Sequence, residues 1–190
     1  MTISFIGNCQ TLCLCYLFQH LLDKDKNDIN WLLYGNHFFP YSVQEWTSKC
    51  NNKIIEEDQI LNKIRTSDII VYQEIDIEKS LFSNETFLKQ ESKKNSKLIK
   101  IPSVVFFYDN YENSINELKK REEINNVNIK VSDMFENHPN EKLMLTPWHP
   151  KSYILLEITK NICKIIGIKF FDNDEYNEFL QNINFMNLPD

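Results

Sequence analysis

The sequence predicts an α/β fold in which a parallel sheet is covered by helices on both faces. Short apolar runs alternate with helical patterns along the chain, which is the order of elements that a parallel sheet requires. Residues 68–72 form a continuous apolar run after the leading Asp68, as in a strand buried on both faces. The first apolar run stops at Gly7, and a helical pattern follows at once.

Each element follows from its local pattern. Strands are predicted over residues 2–6, 29–34, 68–72 and 97–101, and an extended segment over 127–131. Helices are predicted over residues 11–22, 42–49, 56–65, 84–93, 112–122, 151–166 and 175–182. The helix over 112–122 should be polar and exposed. Pro150 should open the helix over 151–166, which Gly167 ends. The Lys-rich residues 89–100 should form a solvated loop or, alternatively, a patch that faces phosphate.

Composition limits the classes of function. A chain of 190 residues with 42% hydrophobic residues predicts one folded domain over residues 1–190. A net charge of −6 argues against nucleic acid or an anionic membrane as partner. We expect no membrane span and no signal peptide. The five cysteines lack a disulfide or metal-binding spacing, so we expect a reducing, cytoplasmic setting and no metal.

The carboxyl end of the predicted sheet gathers the polar candidates. Cys9, Asn36, Gln73 and residues 103–108 all follow strands, and ligands bind beyond such strand ends. With a helix starting at Thr11, residues 7–11 form the turn that carries Cys9. A thiol at a helix N-terminus has a lowered pKa and becomes a nucleophile or a neighbour of phosphate. The alternative is that Cys9 is a small buried turn residue.

Among the four histidines, His149 is the best candidate for a base to serve such a nucleophile. It directly precedes a strong helical pattern, which would hold it rigidly yet leave it open to solvent. His20 lies within the first predicted helix, and His138 is interpreted as a loop residue. His37 follows the second strand and is a minor candidate.

These residues bear resemblances to two known families. A strand ending in Gly-polar-nucleophile, with a late His-Pro before a helix, resembles the layout of SGNH/GDSL hydrolases. Here Cys9 replaces the serine of that family, and Thr146 stands where its aspartate belongs. The nearer resemblance is to the WcbI-type family of capsular polysaccharide biosynthesis enzymes. Residues 7–10, 68–73, 101–103 and 142–150 carry it.

The resemblance implies a helix-rich domain around a small sheet, in an SGNH- or flavodoxin-like arrangement. It implies a cytosolic acetyltransferase that takes acetyl-coenzyme A as substrate and acts on a polysaccharide or a sugar precursor. The candidate catalytic residues are Cys9 and His149. Candidate cofactor- or substrate-binding residues are Gly7, Asn8, Gln10, Asn36, Gln73 and Tyr108.

In the mechanism that fits both lines of reasoning, His149 removes the proton of a sugar hydroxyl. Asn8, Gln10 or Gln73 donates to the developing oxyanion. Cys9 either forms an acyl-enzyme or helps to bind the thioester. Two alternatives stay open: an SGNH-like esterase or deacetylase, and a nucleotide- or sugar-binding module that has lost its activity along with the aspartate.

Overall fold

Four parallel strands form the centre of the computed structural model, which describes residues 1–22, 26–32, 57–73, 82, 84–106 and 110–170. The strands are β1 (Thr2–Ile6), β2 (Asp28–Leu32), β3 (Ile69–Tyr72) and β4 (Lys97–Lys100). Their order in the sheet is β2-β1-β3-β4, which is the order of flavodoxin-like folds. Phe5 of β1 pairs with Trp31 on one side and Val71 on the other. The predicted α/β class with a small parallel sheet is confirmed.

Helices surround this sheet, and a short hairpin precedes the last described helix. The helices are α1 (Cys9–Leu21), α2 (Glu57–Thr66), α3 (Glu85–Glu91), α4 (Tyr111–Asn125), α5 (Ser132–Glu136) and α6 (Ser152–Ile166). The hairpin pairs β5 (Met144–Thr146) with β6 (His149–Pro150) in antiparallel fashion. None of the described helices is long and apolar enough to cross a membrane. The helices predicted over 42–49 and 175–182 lie outside the described residues.

The core has two parts, one on each face of the sheet, because successive strand residues point to opposite faces. Phe5 and Val71 face one part, which is completed mainly by α1 and α6 with Leu14, Leu17, Phe18, Ile154, Leu155 and Ile158. Ile70 and Tyr72 face the other part, which α2 and α3 complete with Ile60, Ile64 and Leu88. The apolar run of β3 is therefore buried on both faces, as predicted.

Helix α1 begins two residues earlier than the sequence predicts. Asn8 caps it, since its Oδ1 accepts a hydrogen bond of 2.9 Å from the main-chain N–H of Gln10. The turn is therefore only Gly7 and Asn8, and Cys9 is the first helical residue rather than a turn residue. Because β1 ends at Ile6, Cys9 still lies at the carboxyl edge of the sheet.

Two predictions in the second half of the chain are wrong, and the buried Glu122 carboxylate is involved in both. Helix α4 is not simply exposed, because Ile115, Leu118 and Glu122 are buried. The Glu122 carboxylate accepts hydrogen bonds from the main-chain N–H of Val131 (2.7 Å) and Ser132 (3.0 Å). These bonds hold residues 127–131 in a bend that leads into α5, so the segment forms no strand.

Two further details differ from the sequence prediction. Pro150 belongs to β6, and Lys151 is the N-cap of α6; the predicted ending at Gly167 is confirmed. Residues 89–100 are not a loop, because they include the end of α3 and all of β4. Three of their lysines form ion pairs: Lys89 with Glu85, Lys93 with Asp68 (2.5 Å) and the buried Lys100 with Glu85 (3.4 Å).

Gly7 is required by the close approach of the chain at the end of β1. Its φ is +153°, and a Cβ there would lie 2.8 Å from both Gln73 Oε1 and Thr11 Cγ2. Thr11 cannot rotate away, because its Oγ1 donates to the Asn8 carbonyl (2.7 Å) and accepts from Trp31 Nε1 (3.0 Å). Close packing alone therefore requires a glycine at position 7, independently of any ligand.

The matched pair Gly7→Ala and Gly167→Ala tests this close packing. Gly167 also has a positive φ, +75°, but a Cβ there meets no atom within 4 Å. We expect Gly167→Ala to lower the free energy of unfolding by about 1 kcal/mol through backbone strain alone. Gly7→Ala should cost about 2–5 kcal/mol, since steric overlap adds to strain. Equal losses in urea denaturation would contradict the packing argument.

Candidate functional site

The site lies where β1 and β3 end side by side and the chain leaves the sheet in different directions. In parallel α/β sheets this switch point is where ligands bind. Gln73, the residue after β3, donates its main-chain N–H to the Ile6 carbonyl at 3.0 Å. Its side-chain Oε1 accepts from the main-chain N–H of Asn8 at 3.3 Å. The structure therefore brings the candidates Gly7, Asn8 and Gln73 together.

A buried pair of amide side chains joins this switch point to the rest of the site. Gln73 Nε2 donates to Gln10 Oε1 at 3.1 Å, and the two residues are only 1% and 4% exposed. Gln73 Nε2 also donates to the Pro102 carbonyl (3.0 Å). Gln10 Nε2 donates to the carbonyls of Val104 (2.7 Å) and Trp148 (3.1 Å).

These bonds use both N–H groups of each amide, because a primary amide has only two. Gln10 and Gln73 therefore have no N–H group left for a developing oxyanion. The interpretation of these two residues as oxyanion donors gives way to a positioning role. They hold α1, β3, the segment after β4 and the β5–β6 hairpin in one fixed arrangement.

Residues 102–106, directly after β4, have no regular structure, and side chains satisfy most of their main-chain polar groups. Arg121 of α4 donates to the carbonyls of Ser103 (3.1 Å) and Val105 (2.7 Å). The Val104 N–H donates to Gln10 Oε1 at 3.0 Å. Sequence reasoning missed Arg121, although it is one of only two arginines in the chain.

Asn8 is the candidate whose side chain keeps a donor for a ligand. Its Oδ1 caps α1, and its Nδ2 donates to Ser103 Oγ at 3.1 Å. For the second hydrogen on Nδ2, the described part of the chain provides no acceptor. The half-buried Asn8 can therefore donate outwards while Ser103 fixes its orientation.

His149 is oriented by the residue that stands in place of the aspartate. Thr146 Oγ1 and His149 Nδ1 are 2.8 Å apart across the β5–β6 hairpin. Thr146 Oγ1 also accepts the main-chain N–H of Trp148 at 3.3 Å. When Nδ1–H donates to Thr146, the lone pair lies on Nε2, where it can accept a proton. A neutral hydroxyl orients the ring, but it adds no negative charge to stabilise an imidazolium.

The bond from Gln10 Nε2 to the Trp148 carbonyl joins the residue after Cys9 to the residue before His149. The exposed His20 contacts the Tyr16 carbonyl and lies eleven residues along α1 from Cys9, about 16 Å. His138 instead contacts Glu141 and Tyr153, both at 2.9 Å. His37 lies outside the described residues.

The expected activation of Cys9 is wrong in sign. Burial raises the pKa of the Cys9 thiol above its ordinary value, and the nearby main-chain N–H groups of Cys9 and Gln10 offset this only in part. The N–H groups of Gln10 and Thr11 also donate to Asn8, which leaves the start of α1 poor in donors for phosphate. Cys9 therefore rests as a protonated thiol.

Two candidate binding residues, Asn36 and Tyr108, lie outside the described residues. Ser103, the first of the predicted residues 103–108, orients Asn8. In the part of the chain that the structure describes, no three His, Cys, Asp or Glu side chains are grouped to bind a metal ion.

The comparison with protein families gives a match to the part of the chain that contains the second half of this site. The family model described as "Polysaccharide biosynthesis enzyme WcbI" matches residues 86–170. The resemblance to the WcbI family is confirmed. The matched region includes Ser103, Arg121, Thr146 and His149, and the description of the family names polysaccharide biosynthesis. No curated protein and no solved structure matches the chain.

Replacing Gln73 tests the positioning role of the amide pair. Gln73→Ala leaves the Pro102 carbonyl and the Asn8 N–H without their side-chain partner, and it leaves Gln10 Oε1 with only the Val104 N–H. Each unsatisfied buried group costs about 1–3 kcal/mol, so the free energy of unfolding should fall by at least about 2 kcal/mol. Gln90→Ala, on the exposed face of α3, is the control and should change it by less than about 0.5 kcal/mol. Similar urea midpoints for both variants would refute a central role for the pair.

The raised pKa of Cys9 predicts how its alkylation depends on pH. A thiol with a raised pKa gains thiolate about tenfold per pH unit as long as the pH stays below that pKa, so its gain continues into a range where an ordinary thiol is already ionised. The rate of iodoacetamide labelling at Cys9, followed by peptide mass spectrometry, should rise accordingly. A short unstructured cysteine peptide should level off near pH 8.5–9. A Cys9 rate that is already at its plateau at pH 7 would contradict the structure.

Proposed function

We propose that the chain is an acyltransferase, which moves an acetyl group from acetyl-coenzyme A to a hydroxyl of a sugar acceptor. In this proposal residues 1–190 act as one cytoplasmic domain. The WcbI match supports the sugar acceptor, because its description names polysaccharide biosynthesis. The choice of donor rests on the resemblance at residues 7–10, 68–73, 101–103 and 142–150. The observation that carries the proposal is the 2.8 Å Thr146–His149 contact on a hairpin bonded to Gln10.

His149 acts as the general base. Thr146 holds Nδ1, so Nε2 is the atom that receives the proton of the acceptor hydroxyl. As the hydroxyl oxygen bonds to the acyl carbon, the carbon–sulfur bond of the thioester breaks. The departing sulfur takes the proton from Nε2, which returns His149 to its starting state and releases the thiol. Protons and electrons balance without another reactant.

Asn8 stabilises the negative charge that develops on the acyl oxygen. Its Nδ2 is oriented by Ser103 and retains one N–H for that oxygen, whereas the amides of Gln10 and Gln73 are occupied. A fixed donor of this kind stabilises a transition state by about 3–4 kcal/mol, because it needs no reorganisation during the reaction.

The raised pKa of Cys9 supports direct transfer over an acyl-enzyme route. A protonated thiol is a poor nucleophile, and an acyl-enzyme route would have to remove the proton of Cys9 before the acyl group could bond to it, in addition to the later proton transfer from the acceptor hydroxyl. In the direct route Cys9 contributes the wall of the pocket beside the thioester. One specific feature favours a competing function: the neutral Thr146 in place of the aspartate also suits a binding module without catalytic activity.

His149→Ala tests the proposal. We expect turnover of acetyl-coenzyme A, measured as release of the free thiol, to fall about 10²–10⁴-fold because the general base is lost. The rise in melting temperature on adding coenzyme A should persist, since binding does not require the base. His20→Ala removes an exposed histidine far along α1 and should behave as wild type. Cys9→Ala should retain turnover if transfer is direct, and lose it if an acyl-enzyme forms.

The other outcomes separate the alternatives. Hydrolysis of a chromogenic acetate ester, with no stabilisation by coenzyme A, would replace the transferase with an esterase. If the protein shows neither turnover nor stabilisation by coenzyme A, the interpretation as a binding module remains. Wild-type turnover in His149→Ala would remove the histidine from the mechanism.

A further inference from the structure

The β5–β6 hairpin exposes a tryptophan beside the proposed base. Pro147 and Trp148 are the two residues between the paired Thr146 and His149. Trp148 is 55% exposed. Leu145 of the same hairpin is equally exposed, so two of the large hydrophobic residues exposed in the described chain lie here. An exposed apolar surface of this kind next to a site indicates ligand contact.

The backbone does not require a tryptophan at this position. Turn tips favour Gly, Asn or Asp for positive φ or for local hydrogen bonds. Among the described non-glycine residues only Asn126 has a positive φ, so Trp148 does not supply one. Its backbone is nevertheless held on both sides, because its N–H donates to Thr146 Oγ1 and its carbonyl accepts from Gln10 Nε2. The indole is thus presented from a fixed position.

The ligand that fits this position is the acceptor. A sugar ring has a polar rim and an apolar face of C–H groups, and a rigid aromatic ring can cover that face while the rim stays free. Trp148 directly precedes His149, which must receive the acceptor's proton. It also lies within the residues that match a polysaccharide biosynthesis family. We propose that Trp148 stacks on the sugar ring of the acceptor and so presents a hydroxyl to Nε2 of His149.

This inference rests on the proposed function, and the experiment separates the two. The assay uses permeabilised cells of the source strain with the gene deleted, which supply the unmodified polysaccharide and its precursors. Purified wild-type protein, Trp148→Ala, Trp148→Phe, His149→Ala and Ile124→Ala are each added with radiolabelled acetyl-coenzyme A. The label transferred to carbohydrate is measured against the amount of cells. Ile124→Ala removes an exposed apolar side chain from α4 and is the matched control.

We expect Trp148→Ala to raise the half-saturating amount of acceptor about tenfold, with a smaller effect on the limiting rate. Trp148→Phe keeps an aromatic face and should lie within about threefold of wild type. His149→Ala should lower the limiting rate instead. The rise in melting temperature with coenzyme A should be the same for Trp148→Ala and wild type.

Each of the other possible results would reject one part of the proposal. Normal half-saturation in Trp148→Ala, with transfer lost in His149→Ala, would reject the stacking role and leave the proposed function standing. A smaller coenzyme A effect on the melting temperature of Trp148→Ala would mean that the indole contacts the donor, and would reject the acceptor assignment. Absence of transfer by the wild-type protein would reject the proposed function itself. Full transfer by His149→Ala would remove His149 as the base, and with it the reason for placing the acceptor beside Trp148.

Discussion

The buried contact between the side-chain amides of Gln10 and Gln73 is the constraint on which the site depends. Each amide bonds the other and the main chain of segments that are distant in sequence, so α1, β3, residues 102–104 and the β5–β6 hairpin share one set of hydrogen bonds. Neither side chain is accessible to water, so the loss of one partner would leave buried polar groups unsatisfied. Gly7 permits this contact, since any side chain there would displace Gln73.

Side chains, rather than strand pairing, shape the edge where the ligand is expected. After β4 the chain does not continue in the sheet, and the main chain of residues 102–105 bonds to Gln10, Gln73 and Arg121. The next residue of α4, Glu122, holds the segment that enters α5. The adjacent α4 residues Arg121 and Glu122 therefore fix two irregular segments, residues 102–105 and residues 127–131. Such support allows Ser103 to orient Asn8 without regular secondary structure.

The sequence predicts the strands of the sheet well, because runs such as residues 68–72 are apolar on both faces and strand alternates with helix. It also predicts that Cys9, Asn36, Gln73 and residues 103–108 gather at one edge, because parallel strands end there. In the structure Asn8 bonds both Gln73 and Ser103 at this edge. It does not reveal that Gln10 bonds Gln73, since no local pattern records a contact between residues 63 positions apart. The pKa of Cys9 was predicted in the wrong direction, because position in a helix is visible in sequence whereas burial is not.

The neutral Cys9 and Thr146 have a consequence for the chemistry that this site can carry out. In a catalytic triad with an aspartate, the carboxylate places a negative charge beside the imidazole before the substrate binds, whereas the neutral Thr146 only orients the ring. Cys9 likewise holds its proton because burial disfavours the thiolate. Charge would then appear only when a hydroxyl transfers its proton to His149, at the moment when Asn8 receives the developing oxyanion. In the proposed mechanism the base depends on a closely placed hydroxyl, so it selects the acceptor by position, and Trp148 is the residue that we propose supplies that position.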